Sequence, residues 1–362
     1  MKSLLSTAAL LVLLAAPWAR GDEVYVRTAT GSELKQTGVI SSDDTDGIAL
    51  RIAGGAGEQV FRLHEIIRSK VKYDCLQRHY EAGRALENSK EYDLAIGRYE
   101  EATKDAGVPK HARQYAWLHI AMCYEKMGDF EKAAGAYKKV LEEMPKTAFQ
   151  REVAEGQFNC FVKLGKWDDA AKSLTVLENQ SDEGKALAGA YRAELLELKG
   201  EYAKAVDAYK AVAKGGPGPD VLSKAHAGVA RCLLLDGRAG EGAEYARKAL
   251  AVKGCALTAA ADAHEVIGES MLSGLPEKAV ELAKDASREK ALDAIEEMMR
   301  AVLQYKGSSW AEQRAYYFVG LWAGRLGDAG ISPEWTKRSN WAFKELTTRY
   351  PKSPFVAKIG KK

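Results

Sequence analysis

The segment from Trp117 to Pro145, WLHIAMCYEKMGDFEKAAGAYKKVLEEMP, decides the fold class. Apolar and small residues recur in it at helical spacing, first before Gly128 and then after it. A glycine can take the left-handed conformation that ends a helix, whereas a proline such as Pro145 cannot continue one. The segment therefore predicts two amphipathic helices joined by a tight turn. Their apolar stripes are Trp117, Ile120, Ala121 and Tyr124, then Phe130, Ala133, Tyr137 and Val140.

This helix pair recurs along the chain at a nearly constant interval. The glycines at the turn are separated by 37, 35, 37 and 37 residues, namely Gly128, Gly165, Gly200, Gly237 and Gly274. A fixed period of this kind is typical of repeat proteins. A weaker copy precedes these units, and a further copy follows an interval long enough for an inserted helix near 287–305. We therefore expect about seven helical repeats over 75–355.

The repeated unit resembles the tetratricopeptide repeat (TPR) family. The family pattern of large, small, aromatic, Gly, aromatic, Ala, aromatic, apolar and Pro residues is met at nearly every position of 117–145. The resemblance implies an α-helical repeat solenoid, a TPR-like superhelix whose concave surface is lined by the first helix of each repeat. It also implies that a protein or peptide ligand binds in the concave groove.

In the TPR family, ligand contacts come from offsets two, five, nine, twelve and thirteen of each first helix. Applied to the first three repeats, these offsets give aromatic, charged and amide side chains of the kind that protein interfaces use. The alternative is that the tyrosines pack against the next repeat or the N-terminal domain. The partner-binding residues expected from the resemblance are Tyr80, Arg84, Tyr115, Met122, Glu155 and Asn159.

A different periodicity governs residues 22–72, where apolar residues largely alternate with polar ones. Alternation is the signature of half-buried strands, and turn sequences rich in Gly and Asp separate the runs. Five short strands fit, the fifth at Ile66 and Ile67, and so short a meander buries one face most simply by curling. We expect a small N-terminal all-β barrel-like domain that resembles SH3-like or Sm-like barrels and folds separately from the repeats.

Residues 1–21 carry the features of a signal peptide. Lys2 precedes an apolar stretch from Leu4 to Ala16, and the small residues Ala19 and Gly21 have the spacing of a cleavage site. This stretch of 13 residues is shorter than the roughly 20 that span a bilayer. We expect export to the periplasm or the medium, with no stable membrane insertion after cleavage.

Composition and motifs give no support to catalysis or to nucleic-acid binding. The 53 Lys and Arg residues are nearly balanced by 50 Asp and Glu residues, so no strong field draws the chain to a polyanion. His264 and Glu265 begin like a zinc-protease helix, but Gly268 stands where the second His ligand belongs. We therefore expect no catalytic residues, no metal and no cofactor.

The five cysteines lack the spacing of a disulfide framework or a zinc site. Cys123, Cys160 and Cys232 fall at the same tenth position of their repeats, where the TPR resemblance implies a small buried residue. Cys75 and Cys255 lie at helix starts or in loops, so they are expected to be more exposed.

These observations favour an exported, non-enzymatic protein that binds other proteins or acts as an assembly scaffold through its concave repeat surface. The alternative is a cell-envelope accessory protein whose β domain binds wall polymer or carbohydrate while the repeats position it. In that case the partners would include cell-envelope components.

Overall fold

The structure is a computed structural model that describes residues 22–27, 32–52, 58–62, 66, 71–73, 77–179, 181–305 and 307–360. The chain divides into two compact units after Ser173. The first unit contains the β sheet and the first three helical repeats, and the second contains the remaining repeats. The signal peptide predicted at 1–21 lies outside the described residues.

Four strands form an antiparallel meander in the order β1-β2-β3-β4. Their bounds are Asp22–Arg27, Glu33–Asp44, Gly47–Ile52 and Glu58–Phe61. Alternate side chains face a core, because successive residues of a strand point to opposite faces. The buried members include Val24, Val26, Ile40, Ile48, Leu50 and Phe61.

The sheet has four strands where the alternation predicted five. Ile66, assigned to the fifth, pairs with Val26 of β1 in an isolated bridge, and Lys72 pairs in the same way with Glu23. Ile67 lies outside the described residues. The N-terminal region is therefore a four-stranded antiparallel sheet to which single residues of the following segment are added.

The repeats of the first unit are three successive helix pairs. The helices are α1 (Gln77–Asn88), α2 (Tyr92–Lys104), α3 (Lys110–Met127), α4 (Phe130–Glu143), α5 (Gln150–Lys163) and α6 (Trp167–Ser173). Gly128 ends α3 in the left-handed conformation, with φ at 80°, as the sequence predicts. Lys90 has φ at 64° in the turn after α1, so the first repeat makes its turn without a glycine.

The second unit continues with helices of the same kind. They are α7 (Thr175–Glu178), α8 (Asp182–Leu198), α9 (Tyr202–Lys214), α10 (Pro219–Leu235), α11 (Ala239–Leu250), α12 (Leu257–Leu272), α13 (Ala279–Leu282), α14 (Asp285–Leu303), α15 (Ser309–Asp328) and α16 (Pro333–Arg349). A 3₁₀ turn follows at Val356–Lys358.

The sixth repeat differs from the sequence expectation of a normal pair followed by an inserted helix. The helix that starts at Ala279 has four residues, and α14 packs against α12 instead. A Cβ added at Gly268 of α12 would lie 2.7 Å from Met298 Cγ and 2.8 Å from the Ala294 carbonyl oxygen of α14. The helix expected near 287–305 is therefore present as α14, but it serves as the second helix of the sixth pair.

A tyrosine of the second helix is fixed to a glutamate of the first in three repeats. The hydroxyls of Tyr99, Tyr137 and Tyr209 donate to Glu87 (2.8 Å), Glu125 (2.6 Å) and Glu197 (3.1 Å). In each case the tyrosine ring lies against a first-helix glycine with no space for a Cβ, at Gly83, Gly156 and Gly228 respectively. This contact fixes the distance between neighbouring helices.

Cys123, Cys160 and Cys232 are fully buried, which confirms their predicted packing position. Burial raises the pKa of the Cys123 and Cys160 thiols to about 12. Cys160 Sγ lies 3.7 Å from Glu125 Oε1, so it adjoins the tyrosine–glutamate contact of the preceding repeat. Cys255 is half-buried, and Cys75 lies outside the described residues.

The turn between β2 and β3 is anchored on the second repeat. The buried Asp43 carboxylate accepts hydrogen bonds from Tyr73 (2.6 Å) and from Tyr115 of α3 (2.7 Å). Gln114 Nε2 donates to the Asp43 carbonyl oxygen at 2.9 Å. Thr45 N donates to the Lys146 carbonyl oxygen at 3.0 Å. These buried polar contacts join the sheet to the repeats within the first unit, and whether the two regions fold separately stays a prediction.

We predict that Gly156→Ala destabilises the first unit by about 1–3 kcal/mol, because the new methyl group overlaps the Tyr137 ring. Urea unfolding followed by circular dichroism measures the change. Gly135→Ala in α4 is the matched control, since nothing lies within 4 Å of its Cβ position and alanine favours a helix. Equal effects of the two substitutions would contradict the contact.

Replacing Asp43 by alanine removes a buried carboxylate that accepts hydrogen bonds from Tyr73 and Tyr115. We predict that Asp43→Ala lowers the free energy of unfolding by about 2–4 kcal/mol. Asp46→Ala, in the same turn but exposed, should change it by less than about 0.5 kcal/mol. A loss confined to the sheet, with the helical transition unchanged, would show that the two regions unfold independently.

Candidate protein-interaction face

The first helices of the first unit, α1, α3 and α5, carry the residues that the TPR resemblance assigns to ligand binding. Arg84, Met122 and Asn159 occupy the same offset, nine, of these three helices. Arg84 and Asn159 are exposed, and Met122 is half-buried against the core. We call these three residues the offset-nine row.

The other predicted residues are placed differently. Tyr115 is only 6% exposed, and its ring meets Phe149 edge-on at 4.7 Å while its hydroxyl binds Asp43. Glu155 is half-buried and accepts from Arg151 Nε at 2.9 Å, one turn earlier on α5. Tyr115 therefore lies in the contact with the sheet, as the alternative interpretation of the tyrosines expected.

Tyr80 belongs to a polar cluster formed by side chains of α1, α2 and α3. Its hydroxyl lies 2.8 Å from His119 Nε2, and His119 Nδ1 lies 2.8 Å from Glu87 Oε2. The same Glu87 oxygen accepts from Tyr99. The Tyr80 ring also packs at 5.2 Å from His119 and at 5.6 Å from Tyr99. The cluster links α1, α2 and α3.

A carboxylate, an imidazole and a hydroxyl in series could form a catalytic relay, so the protonation of the phenols matters. Burial, together with nearby carboxylates, raises the pKa of Tyr80 and Tyr99 well above the usual tyrosine value. Both phenols are therefore neutral at physiological pH and poor nucleophiles. The arrangement is suited to holding helices in register.

The second unit contains an ionic network that sequence reasoning missed. Arg231 of α10 forms two hydrogen bonds to Glu197 of α8, at 2.7 and 2.9 Å, and a further ion pair with Asp262 of α12. Asp262 also accepts from Ser308, and Arg231 stacks on Trp310 with 5.6 Å from Cζ to the ring centroid. The sequence gives one signal for this network, namely that Arg231 stands at offset nine of the fifth repeat.

Glu265 of α12 extends this network toward α15. Arg314 Nε lies 3.4 Å from Glu265 Oε1, while Oε2 has no hydrogen-bond partner among the described residues. Burial raises the pKa of Glu265 well above its usual range, and the Glu269 carboxylate adds to the rise. The neighbouring His264 pairs with Glu297 at 2.6 Å.

The geometry gives no metal centre or membrane span in the parts of the chain that the structure describes. No three His, Cys, Asp or Glu side chains are grouped there to hold a metal ion. No helix among those residues is both long and apolar enough to cross a membrane.

Family comparisons identify the repeats. Two models, both described as tetratricopeptide repeat, match residues 114–147 and 157–219. The chain therefore contains tetratricopeptide repeats. Repeats of this class generally mediate protein–protein interaction or scaffolding, and no catalytic family is indicated.

Solved structures similar to this chain include a tetratricopeptide repeat protein from Parabacteroides merdae that is 11% identical. The similar region covers 78% of this chain and 96% of that chain, with a TM-score of 0.49. The C-terminal part of a TPR repeat-containing protein from Cytophaga hutchinsonii is 13% identical, with coverages of 77% and 99% and a TM-score of 0.40. PilF of Pseudomonas aeruginosa is 15% identical, with coverages of 68% and 95% and a TM-score of 0.40. No curated protein matches the chain significantly.

The polar cluster predicts a pH dependence. Burial acts to raise the pKa of Glu87, but its hydrogen bond to His119 and the positive charges nearby outweigh it, so the pKa is lowered from 4.5. A lowered carboxyl pKa stabilises the fold above pH 4.5, and this stabilisation is lost as the pH falls through the folded-state pKa.

We therefore expect the stability difference between wild type and Glu87→Gln, measured by urea unfolding from pH 7 to pH 3, to shrink below about pH 4.5. Glu142→Gln, which removes an exposed surface pair with Lys139, is the control and should have a smaller effect at every pH. A difference that stays constant with pH would contradict the role given to Glu87.

Proposed function

We propose that this protein is an exported, non-enzymatic scaffold that binds a protein or peptide on the face formed by α1, α3 and α5. The observation that carries the proposal is the offset-nine row. Three successive first helices present Arg84, Met122 and Asn159 at one equivalent position, with the two polar residues exposed. A row of this kind suits a chain that runs across several helices.

A second row lies one helical turn further along the same helices. Asn88, Lys126 and Lys163 occupy offset thirteen of α1, α3 and α5, and all three are exposed. The asparagine amides can donate to and accept from a peptide backbone, while the cationic side chains favour carboxylates. The two rows together fit an extended polypeptide with acidic side chains.

The polar cluster of α1, α2 and α3 supports the proposal, because it holds the helices of the proposed binding face in place. Tyr80, His119 and Glu87 are joined by hydrogen bonds of 2.8 Å, so α1 and α3 keep their spacing when a ligand is absent. A preorganised face loses little conformational entropy on binding. Tyr115 is not part of the proposed surface, because it is buried against the sheet.

The second unit uses the corresponding position for its own stability. The offset-nine residue of its fifth repeat, Arg231, has 11% of its side chain exposed and binds Glu197, Asp262 and Trp310. The charge of Arg231 is therefore satisfied within the unit. This difference favours the first unit as the binding face.

Export and barrel closure are part of the same proposal. The signal-peptide pattern of residues 1–21 supports a periplasmic or secreted protein. The bridges from Val26 to Ile66 and from Glu23 to Lys72 bring these two residues, which follow β4 in the chain, beside β1 at the opposite edge of the sheet. That pairing supports a small SH3-like barrel, since closure is how such sheets remove an edge.

Capture of cross-linked partners from an envelope extract of the host, followed by titration of the purified partner, tests the binding face. Arg84→Glu and Asn159→Ala should weaken binding by about 10-fold or more, because contacts central to an interface dominate its affinity. The melting temperature should change little, since both residues are exposed.

Lys138→Glu is the matched control, because this exposed lysine lies on the second helix α4, away from the rows. Its affinity for the partner should equal that of the wild type. Equal losses for Arg84→Glu and Lys138→Glu, or no loss for either row residue, would refute the proposed face.

A further inference from the structure

An apolar groove runs between α14 and α16, which are the second helices of the sixth and seventh pairs. Helices α14 and α16 form its walls, and Val319 of α15 lies at its floor. The cavity has a volume of about 570 Å³ and is lined on its walls by Leu292, Met299, Leu303, Trp335 and Trp341. We call it the α14–α16 groove.

The groove leaves large apolar side chains in water. Leu303 is 59% exposed and Trp341 is 37% exposed. Elsewhere on α15, the C-terminal segment covers the apolar surface, with the Phe355 ring centroid 5.0 Å from that of Tyr317. Contiguous exposed apolar surface of this kind generally marks an interaction site.

The two walls carry charges of opposite sign. Glu296 lines the α14 wall, and Arg338 lines the α16 wall. The Arg338 guanidinium stacks on Trp335 at 4.6 Å, and no carboxylate of the described residues lies within ion-pair distance of it. Glu296 binds Arg300 of its own helix at 2.6 Å and is largely exposed, so it can also receive a second cation.

A carboxylate on one wall and a guanidinium on the other make that surface complementary to itself under a two-fold rotation. In such a contact the α16 wall of each copy faces the α14 wall of the other, so each Arg338 meets a Glu296. The exposed Leu303 and Trp341 would be buried in the same step, which supplies the hydrophobic driving force.

We propose that a second copy of this chain covers the α14–α16 groove, forming a two-fold dimer. In this dimer α16 of one copy packs against α14 of the other, with Glu296–Arg338 ion pairs on either side of the axis. The inference uses only the second unit and does not depend on the proposed binding face of the first.

Sedimentation velocity of the full mature chain over a range of concentrations tests the dimer. The wild type should approach twice the mass of the chain as the concentration rises. Leu303→Glu should raise the dissociation constant by about 100-fold or more, since each dimer buries this position twice. Leu257→Glu is the matched control, because this leucine is 62% exposed on α12, and it should leave the dimer unchanged.

A charge exchange distinguishes the two-fold contact from a general loss of folding. Glu296→Arg and Arg338→Glu should each weaken the dimer, because each places like charges opposite one another. Mixing the two single variants should restore a dimer, as a heterodimer, since both ion pairs then join opposite charges. The double variant should also dimerise.

A wild type that stays monomeric at the highest concentration would overturn the proposal and leave the groove to another kind of partner. The same conclusion would follow if Leu303→Glu and Leu257→Glu behaved alike. Failure of the mixed variants to associate, with both correctly folded by circular dichroism, would overturn the two-fold arrangement.

Discussion

The hydrogen bond from a second-helix tyrosine to a first-helix glutamate is the interaction on which the repeats depend. It recurs at Tyr99–Glu87, Tyr137–Glu125 and Tyr209–Glu197, and in each case the tyrosine ring fills a gap left by a glycine. A hydrogen bond to a charged acceptor contributes about 1.5–3 kcal/mol, and the missing Cβ lets the helices approach closely. A cysteine such as Cys160 then fits beside the glutamate, where a larger side chain would force the repeats apart.

Equivalent positions on the first helices have different roles in the two units. In the first, the Tyr99 hydroxyl and His119 bind the Glu87 carboxylate, and Arg84 at offset nine of the same helix is exposed. In the second, Arg231 pairs with both Glu197 and Asp262 and lies against the Trp310 ring. A buried charge has a large desolvation cost unless it is paired. The Arg231 guanidinium therefore forms part of the interior of the second unit and not of an exposed surface.

The N-terminal sheet is joined to the repeats through one buried carboxylate. Asp43 holds two tyrosine hydroxyls, Tyr73 from the segment after the sheet and Tyr115 from α3. Two strong donors on one acceptor group fix the β2–β3 turn against the second repeat, and Gln114 adds a third bond to the Asp43 backbone. The hydrogen bond to Asp43 accounts for a tyrosine at position 115, the offset of α3 at which the TPR resemblance implied a ligand contact.

The sequence by itself determined the helical repeats, their turn glycines, the strand period of the N-terminal region and the burial of Cys123, Cys160 and Cys232. These features follow from local periodicity, which neighbouring residues set together. Only the tertiary structure decided that Tyr115 binds Asp43, that α14 replaces the second helix of the sixth repeat, and that Arg231 is enclosed by carboxylates. Each of these depends on which distant side chains can satisfy a buried polar group or fill a space, and no local pattern records that.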